Sequence, residues 1–264
     1  MQLRVTSVST TVGFFVLVLG AAFALGGCAH TSPKKELTKT ERARIYVEMA
    51  NGLLDEGDPT SALENLFRAE AEDPKLPEIH HSKALVFFAR KNYLEALKEA
   101  EKAVELAPNY SVAQGTLGKL LLDQGRLDEA VSHLNVAAAD PVNREMFKPL
   151  SLLGVIYYKK NDFQKASEFF TRAIDSSPTS ACIAYYYRGH LHLRDSQFDE
   201  AIRDYGQAST RFCAGFAEAQ LAIGIAFEES KRFDQARKKF LEVEQRYPNS
   251  RSADQAMKRL RTLP

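Results

Sequence analysis

The 264-residue chain contains no tryptophan and only three cysteines. Three cysteines cannot build a disulfide scaffold, and no Cys-x-x-Cys pair offers zinc ligands, so packing must hold the fold. Charge of one sign is also lacking. The 35 Lys and Arg face 34 Asp and Glu, which leaves no basic field of the kind that displaces counterions from a nucleic acid. Nucleic acid is therefore excluded as an expected partner. The apolar run Val12 to Leu25 falls short of the roughly 20 residues needed to span a bilayer. His-Glu-x-x-His, Gly-x-Ser-x-Gly and phosphate-loop patterns are missing too. His80 and His81 are neighbours, and His190 and His192 are two apart, so each pair splits across helix faces. No enzyme, metal, cofactor or small-molecule substrate is expected.

What is present begins with residues 1–27, which carry one charge, Arg4, and no acid. A short apolar core behind a basic start reads as a signal peptide. It closes on Leu25-Gly26-Gly27-Cys28, which resembles a bacterial lipobox. The resemblance implies cleavage between Gly27 and Cys28 and acylation of the Cys28 thiol. Ala29 stands where the family places Asp for inner-membrane retention, so the expectation is an outer-membrane lipoprotein facing the periplasm. Residues 28–42 hold Pro, Ser, Thr and Lys with few apolar side chains, and are expected to form a flexible tether.

The remainder is periodic. Ala62, Ala96, Ala130, Ala166, Ala201 and Ala236 recur at steps of 34, 34, 36, 35 and 35. Twelve residues before each stands Ala50, Ala84, Gly118, Gly154, Gly189 or Gly224, and four after most of them comes Leu66, Leu134, Phe170, Tyr205 or Phe240. Small residues at fixed offsets permit two helices to cross closely, and the i, i+4 spacing of the large ones is helical. Prolines at 74, 108, 178 and 248 stop four of the six units, with Pro141 one place early in the third and none near Cys213 in the fifth. Polar pairs such as Gln124-Gly125 and Asn161-Asp162 mark the turn inside it.

With Leu117-Gly118, Leu121, Gly125, Ala130, Leu134 and Ala137 in the third unit, the pattern resembles the tetratricopeptide repeat family. The expected fold is all-α, a right-handed solenoid of six helix hairpins over 43–264. Repeats fall at 43–76, 77–110, 111–144, 147–180, 182–215 and 217–250, with a cap at 251–264. Arg188 and His192, where apolar residues are usual, mark the fifth unit as irregular.

In that family the first helix of each unit lines a binding groove. The matching positions are Val47, Asn51 and Leu54; His81, Leu85 and Phe88; Val112, Lys119 and Leu122; Val155 and Tyr158; and Tyr186. Leu85, Phe88, Leu122 and Tyr158 form an expected apolar stripe for a peptide or helix. The family's carboxylate clamp is not expected, because only Asn51 matches it, with Val47, Ser82, Val112 and Thr116 elsewhere. Cys182 and Cys213 open the first helix and follow the second helix of one hairpin, so an oxidising periplasm would join them.

A lipobox, a tether and six repeats together resemble the pilotin lipoproteins of type IV pilus biogenesis. That resemblance implies a protein partner at the outer membrane, a secretin subunit. Two other readings stay open: a scaffold of outer-membrane barrel assembly or envelope coordination, suggested by Tyr247-Pro248-Asn249-Ser250 with Asp254 and Ala256, and an adaptor for a peptidoglycan-processing enzyme.

Overall fold

The computed structural model describes residues 36–264, so the signal peptide, Gly27, Cys28 and most of the tether lie outside the described residues. Those residues form thirteen α-helices packed in consecutive pairs, a solenoid of the tetratricopeptide kind. Helices α1 (Lys39–Asp55) and α2 (Pro59–Glu72) make the first hairpin, followed by α3 (Pro77–Ala89) with α4 (Tyr93–Leu106) and α5 (Ser111–Asp123) with α6 (Leu127–Ala139). Next come α7 (Phe147–Lys159) with α8 (Phe163–Ser176), then α9 (Cys182–Arg194) with α10 (Phe198–Gln207). Finally α11 (Ala217–Glu229) pairs with α12 (Phe233–Arg246), and α13 (Arg251–Thr262) packs on the last hairpin.

Turn chemistry explains why each hairpin breaks where it does. Gly57, Lys91, Gly125, Asn161, Ser196 and Lys231 all have positive φ, between 56° and 84°. In each turn the next backbone N–H donates back to a carbonyl five residues earlier, as Asp162 N does to Tyr157 O at 2.9 Å. That bond satisfies a helix-end carbonyl and closes the left-handed cap. Glycine takes this conformation freely at 57 and 125, while the lysines, Asn161 and Ser196 adopt it at a steric cost. The second helix then opens with a side-chain cap from Asp58, Asn92 or Asp162 in three hairpins.

In the last four pairs a glycine of the first helix meets a large residue of the second. A Cβ built on Gly118 would lie 2.6 Å from Leu134 Cγ, and one on Gly189 would lie 2.6 Å from Tyr205 Cε1. Gly154 meets Phe170 and Gly224 meets Phe240 in the same way. Leu134, Phe170, Tyr205 and Phe240 are fully buried. The absence of a side chain on one helix is what admits a whole ring from the other.

Two expectations need correcting. The solenoid begins at Lys39 and not at 43, because Thr38 and Glu41 form a reciprocal capping box that starts α1 inside the expected tether. The fifth unit departs from the others chiefly in its second helix, which ends after 10 residues and gives way to a 3-10 turn at Arg211–Cys213. Its polar residues are consistent with packing: Arg188 Nε and Nη2 donate to the two oxygens of Asp204 at 2.7 and 2.8 Å. Asp204 is buried, and His192 Nε2 lies 3.5 Å from it. The odd charges therefore form a paired interior group spanning α9 and α10.

Candidate functional site

The first helices of successive hairpins touch one another, α1 with α3, α3 with α5, α5 with α7 and α7 with α9. Their shared face carries the expected groove positions, and the structure divides those twelve residues into three fates. His81, Leu85, Val112 and Lys119 come together in a cavity of about 280 Å³. It is completed by Thr116, Lys148, Leu152 and the join between the third and fourth hairpins, through Asn143 and Glu145. Val112 is 44% exposed here, a large apolar side chain open to an occupant.

Hydrogen bonds hold this cavity in shape. His81 Nε2 lies 3.0 Å from Thr116 Oγ1, and Tyr110 Oη lies 3.5 Å from His81 Nδ1. Burial pushes the His81 imidazole down to about 4, so it stays neutral at ordinary pH and lines the wall as a polar, uncharged group. Lys119 Nζ sits 2.8 Å from Asp123 and 4.1 Å from the centre of the Phe88 ring. Lys148 is held by Glu145. Asn143 donates to Ala137 O at 3.1 Å and accepts from Glu145 N at 2.9 Å, which fixes the join at the cavity rim. Sequence reading missed Asn143 and Glu145; the signal was the 36-residue step at this point, where the others are 34 or 35.

A second group lines the surface as separate aromatic sites. Phe88 is half-buried, edge-on to Tyr93 at 5.6 Å, beside a hollow that includes Leu120 and Gln124. Tyr158 is half-buried, with edge contacts to Phe163 and Tyr187. Tyr186 packs against His190 at 4.4 Å and Phe216 at 4.8 Å, and it lines a further cavity of about 250 Å³ with Glu218 and Arg251. Burial lowers His190 to about 4 and raises the Tyr186 phenol to about 12. Both are neutral. Leu54 is partly exposed and Asn51 exposed at the first hairpin, outside the cavity.

The third fate is a correction. Val47, Leu122 and Val155 were expected to line the groove, yet they are 6%, 7% and 6% exposed and belong to the packed interior. Each is an aliphatic side chain on the flank of its helix that meets a neighbouring helix, so core packing claims it. The expected stripe is broken at Leu122. What remains is a row of separate apolar hollows.

Each described histidine has a polar neighbour. His80 Nδ1 lies 2.7 Å from Glu99, His133 Nδ1 2.6 Å from Gln114, His190 Nδ1 2.9 Å from Tyr205 Oη and His192 Nδ1 2.6 Å from Gln197. The Sγ atoms of Cys182 and Cys213 are joined, with their Cα atoms 5.6 Å apart. No helix among the described residues is long and apolar enough to cross a membrane.

Models of the tetratricopeptide repeat match residues 47–111, 87–156, 147–180 and 186–251. The type IV pilus assembly protein PilF of Pseudomonas aeruginosa is 25% identical over 252 residues, covering 89% of this chain and 94% of that protein. A solved structure of Pseudomonas aeruginosa PilF superposes with a TM-score of 0.73 at 20% identity, over 84% of this chain and 99% of that one. The crystal structure of PilW, described as a widely conserved type IV pilus biogenesis factor, gives 0.72 at 17% identity, over 81% and 98%. Cut9, in its complex with Hcn1, gives 0.73 at 19% identity over 83% of this chain and 43% of its own, so the architecture serves unrelated assemblies. The chain belongs to the tetratricopeptide repeat family, whose members act as protein-interaction scaffolds, and it resembles the type IV pilus assembly proteins PilF and PilW.

Proposed function

We propose that the chain is a lipid-anchored pilotin of the outer membrane, acylated at Cys28, facing the periplasm and assisting secretin subunits to reach that membrane and assemble. The observation that carries this reading is the apolar cavity between the second, third and fourth hairpins, lined by Leu85, Val112 and Leu152. It suits an apolar side chain of a partner segment better than a charged chain end, since Lys119 and Lys148 already hold carboxylates of their own chain. The similarity to PilF over nearly the whole of both chains supports the choice of pathway.

Replacing Leu85 and Val112 with Glu tests it, because both reach the cavity and neither belongs to the buried interior. The expected result is loss of secretin capture and of secretin rings in the outer membrane, with helix content and unfolding midpoint kept. Rings that still assemble in the double variant would overturn the assignment. Metabolic labelling with a fatty acid tests the anchor: the wild-type chain takes label and Cys28→Ala does not.

A further inference from the structure

The two ends of the solenoid are finished differently. In every internal hairpin the first helix packs on the second helix of the hairpin before it. Three register positions make that contact face. At the first, Ile79, Ala113, Ala184 and Ala219 are fully buried; at the second, Leu117 and Leu153 are 2% and 0% exposed; at the third, Val86 and Ile156 are 1% and 0%. The corresponding residues of α1 are Ile45, Met49 and Gly52. Ile45 is 43% exposed, Met49 is 49% exposed, and a Cβ on Gly52 would meet nothing within 4 Å. Among the described residues no helix precedes α1 to cover this face.

The other end is closed. α13 turns Ala253, Ala256 and Leu260 toward the last hairpin and shows Asp254, Lys258 and Arg261 to water. A polar outer face is what a terminal unit needs to stay apart from other surfaces. α1 keeps the apolar pattern of an internal unit. Leu37, Ile45 and Met49 are exposed apolar residues in the first hairpin's opening segment, whereas α13 exposes one, Met257, at 37%.

We infer that the open face of α1, through Ile45 and Met49, rests against the lipid surface to which Cys28 is anchored. This rests on the lipidation reading given above. Thr38 lies ten positions after Cys28, a reach of at most about 35 Å, so the anchor keeps this end of the solenoid beside the bilayer. Between Cys28 and Thr40 stand Lys34, Lys35 and Lys39 against the single acid Glu36, a balance suited to anionic headgroups. α1 itself is charge-balanced, with Lys39, Arg42 and Arg44 against Glu41, Glu48 and Asp55, so its contact rests on the aliphatic and thioether side chains of Ile45 and Met49. With α1 on the lipid, the solenoid stands end-on, and its cavity between the second and fourth hairpins is held off the membrane, open to a partner.

The mature chain from Cys28 is joined through that thiol to a maleimide lipid and bound to vesicles of phosphatidylethanolamine and phosphatidylglycerol. An environment-sensitive fluorophore is placed at Met49→Cys or, for contrast, at Lys258→Cys on α13, coupled before the lipid is attached at Cys28 by a separately protected step. The expected result is a blue shift at 49, with quenching by acyl-chain nitroxides several-fold stronger than at 258, and loss of both when Ile45 is replaced by Asp. Equal, weak quenching at both positions overturns the inference. So does a blue shift at 49 that appears without vesicles and grows with protein concentration, which would mean that a second copy covers the face. Because the lipid is attached chemically, these outcomes are independent of whether the cell acylates Cys28, which the labelling experiment reads on its own.

Discussion

Gly154→Ala is a one-carbon change whose effect depends on a single neighbour. The added Cβ would lie 2.5 Å from Cδ1 and 3.0 Å from Cζ of the Phe170 ring, and that ring is fully buried. Overpacking of this kind costs about 1–3 kcal/mol. Alanine in place of glycine in mid-helix returns roughly 1 kcal/mol of backbone entropy, so the net loss is about 0–2 kcal/mol. The single variant is thus a weak reporter, and the double-mutant cycle with Phe170→Leu is the decisive form. The first hairpin carries Ala50 and Leu66 at the equivalent places, both buried, so an alanine and a leucine fit this crossing together. In the Phe170→Leu background Gly154→Ala should then stabilise by about 1 kcal/mol, giving a coupling of roughly 1–3 kcal/mol between the two sites. Urea unfolding followed by far-ultraviolet circular dichroism reads all four corners of the cycle. Gly52→Ala, with open space around it, is the control and should stabilise by about 0.5–1 kcal/mol. If Gly154→Ala shifts stability by the same amount in both backgrounds, the ring does not claim the space and the account of the crossing is wrong.

That complementarity was legible in the sequence because it repeats: a glycine or alanine at one offset and a leucine, phenylalanine or tyrosine sixteen residues later specify the hairpin five times, the second hairpin having Ala84 and Ala100 there. Hairpin turns were legible for the same reason, as polar pairs at a constant phase. The groove was less so. Val47, Leu122 and Val155 share the helix and residue type of true surface positions, and a few tens of degrees around the helix axis decide whether such a side chain meets solvent or the next hairpin. Periodicity gives the face of a helix and leaves its margins undefined. The cavity rim at Asn143 and Glu145 was hidden for another reason, since it is built from a join and carries no repeat. Arg188 and His192 looked like a flaw in the fifth unit because each is read alone in a sequence, whereas in the fold Arg188 is hydrogen-bonded to Asp204, sixteen positions on, with His192 beside it.

Removing the Cys182–Cys213 bond, which closes a loop over a sequence separation of 31, should cost about 3–4 kcal/mol in the chain-entropy model. A Cys182→Ser/Cys213→Ser variant as stable as the wild type in unreduced urea titrations would refute that. Arg188→Met leaves the buried Asp204 carboxylate with only His192 beside it and should cost about 3–5 kcal/mol, while adding Asp204→Leu should recover most of the loss. No recovery would mean that the pair does more than satisfy itself. The last expectation concerns pH. His81 and His190 are held down to about 4 by burial, against 6.5 for an ordinary histidine. Below about pH 6.5 the unfolded chain therefore binds protons that His81 and His190 refuse in the fold, and His133, also lowered by burial, adds in the same direction, so stability is full above that range and falls as acid is added. The loss reaches about 2 kcal/mol per histidine near pH 5, from the shift in each group. It levels off only below about pH 4. Carboxylates held low in the fold, such as Asp73 by Thr40, lose their contribution only at lower pH, so the window between about pH 7 and 5 belongs to the histidines. Urea midpoints taken across that window should fall steadily, and His190→Phe should remove roughly a third to a half of the slope. A midpoint that does not move between those limits would show that the two imidazoles accept protons in place, and that the walls of both cavities are wetter than their packing implies.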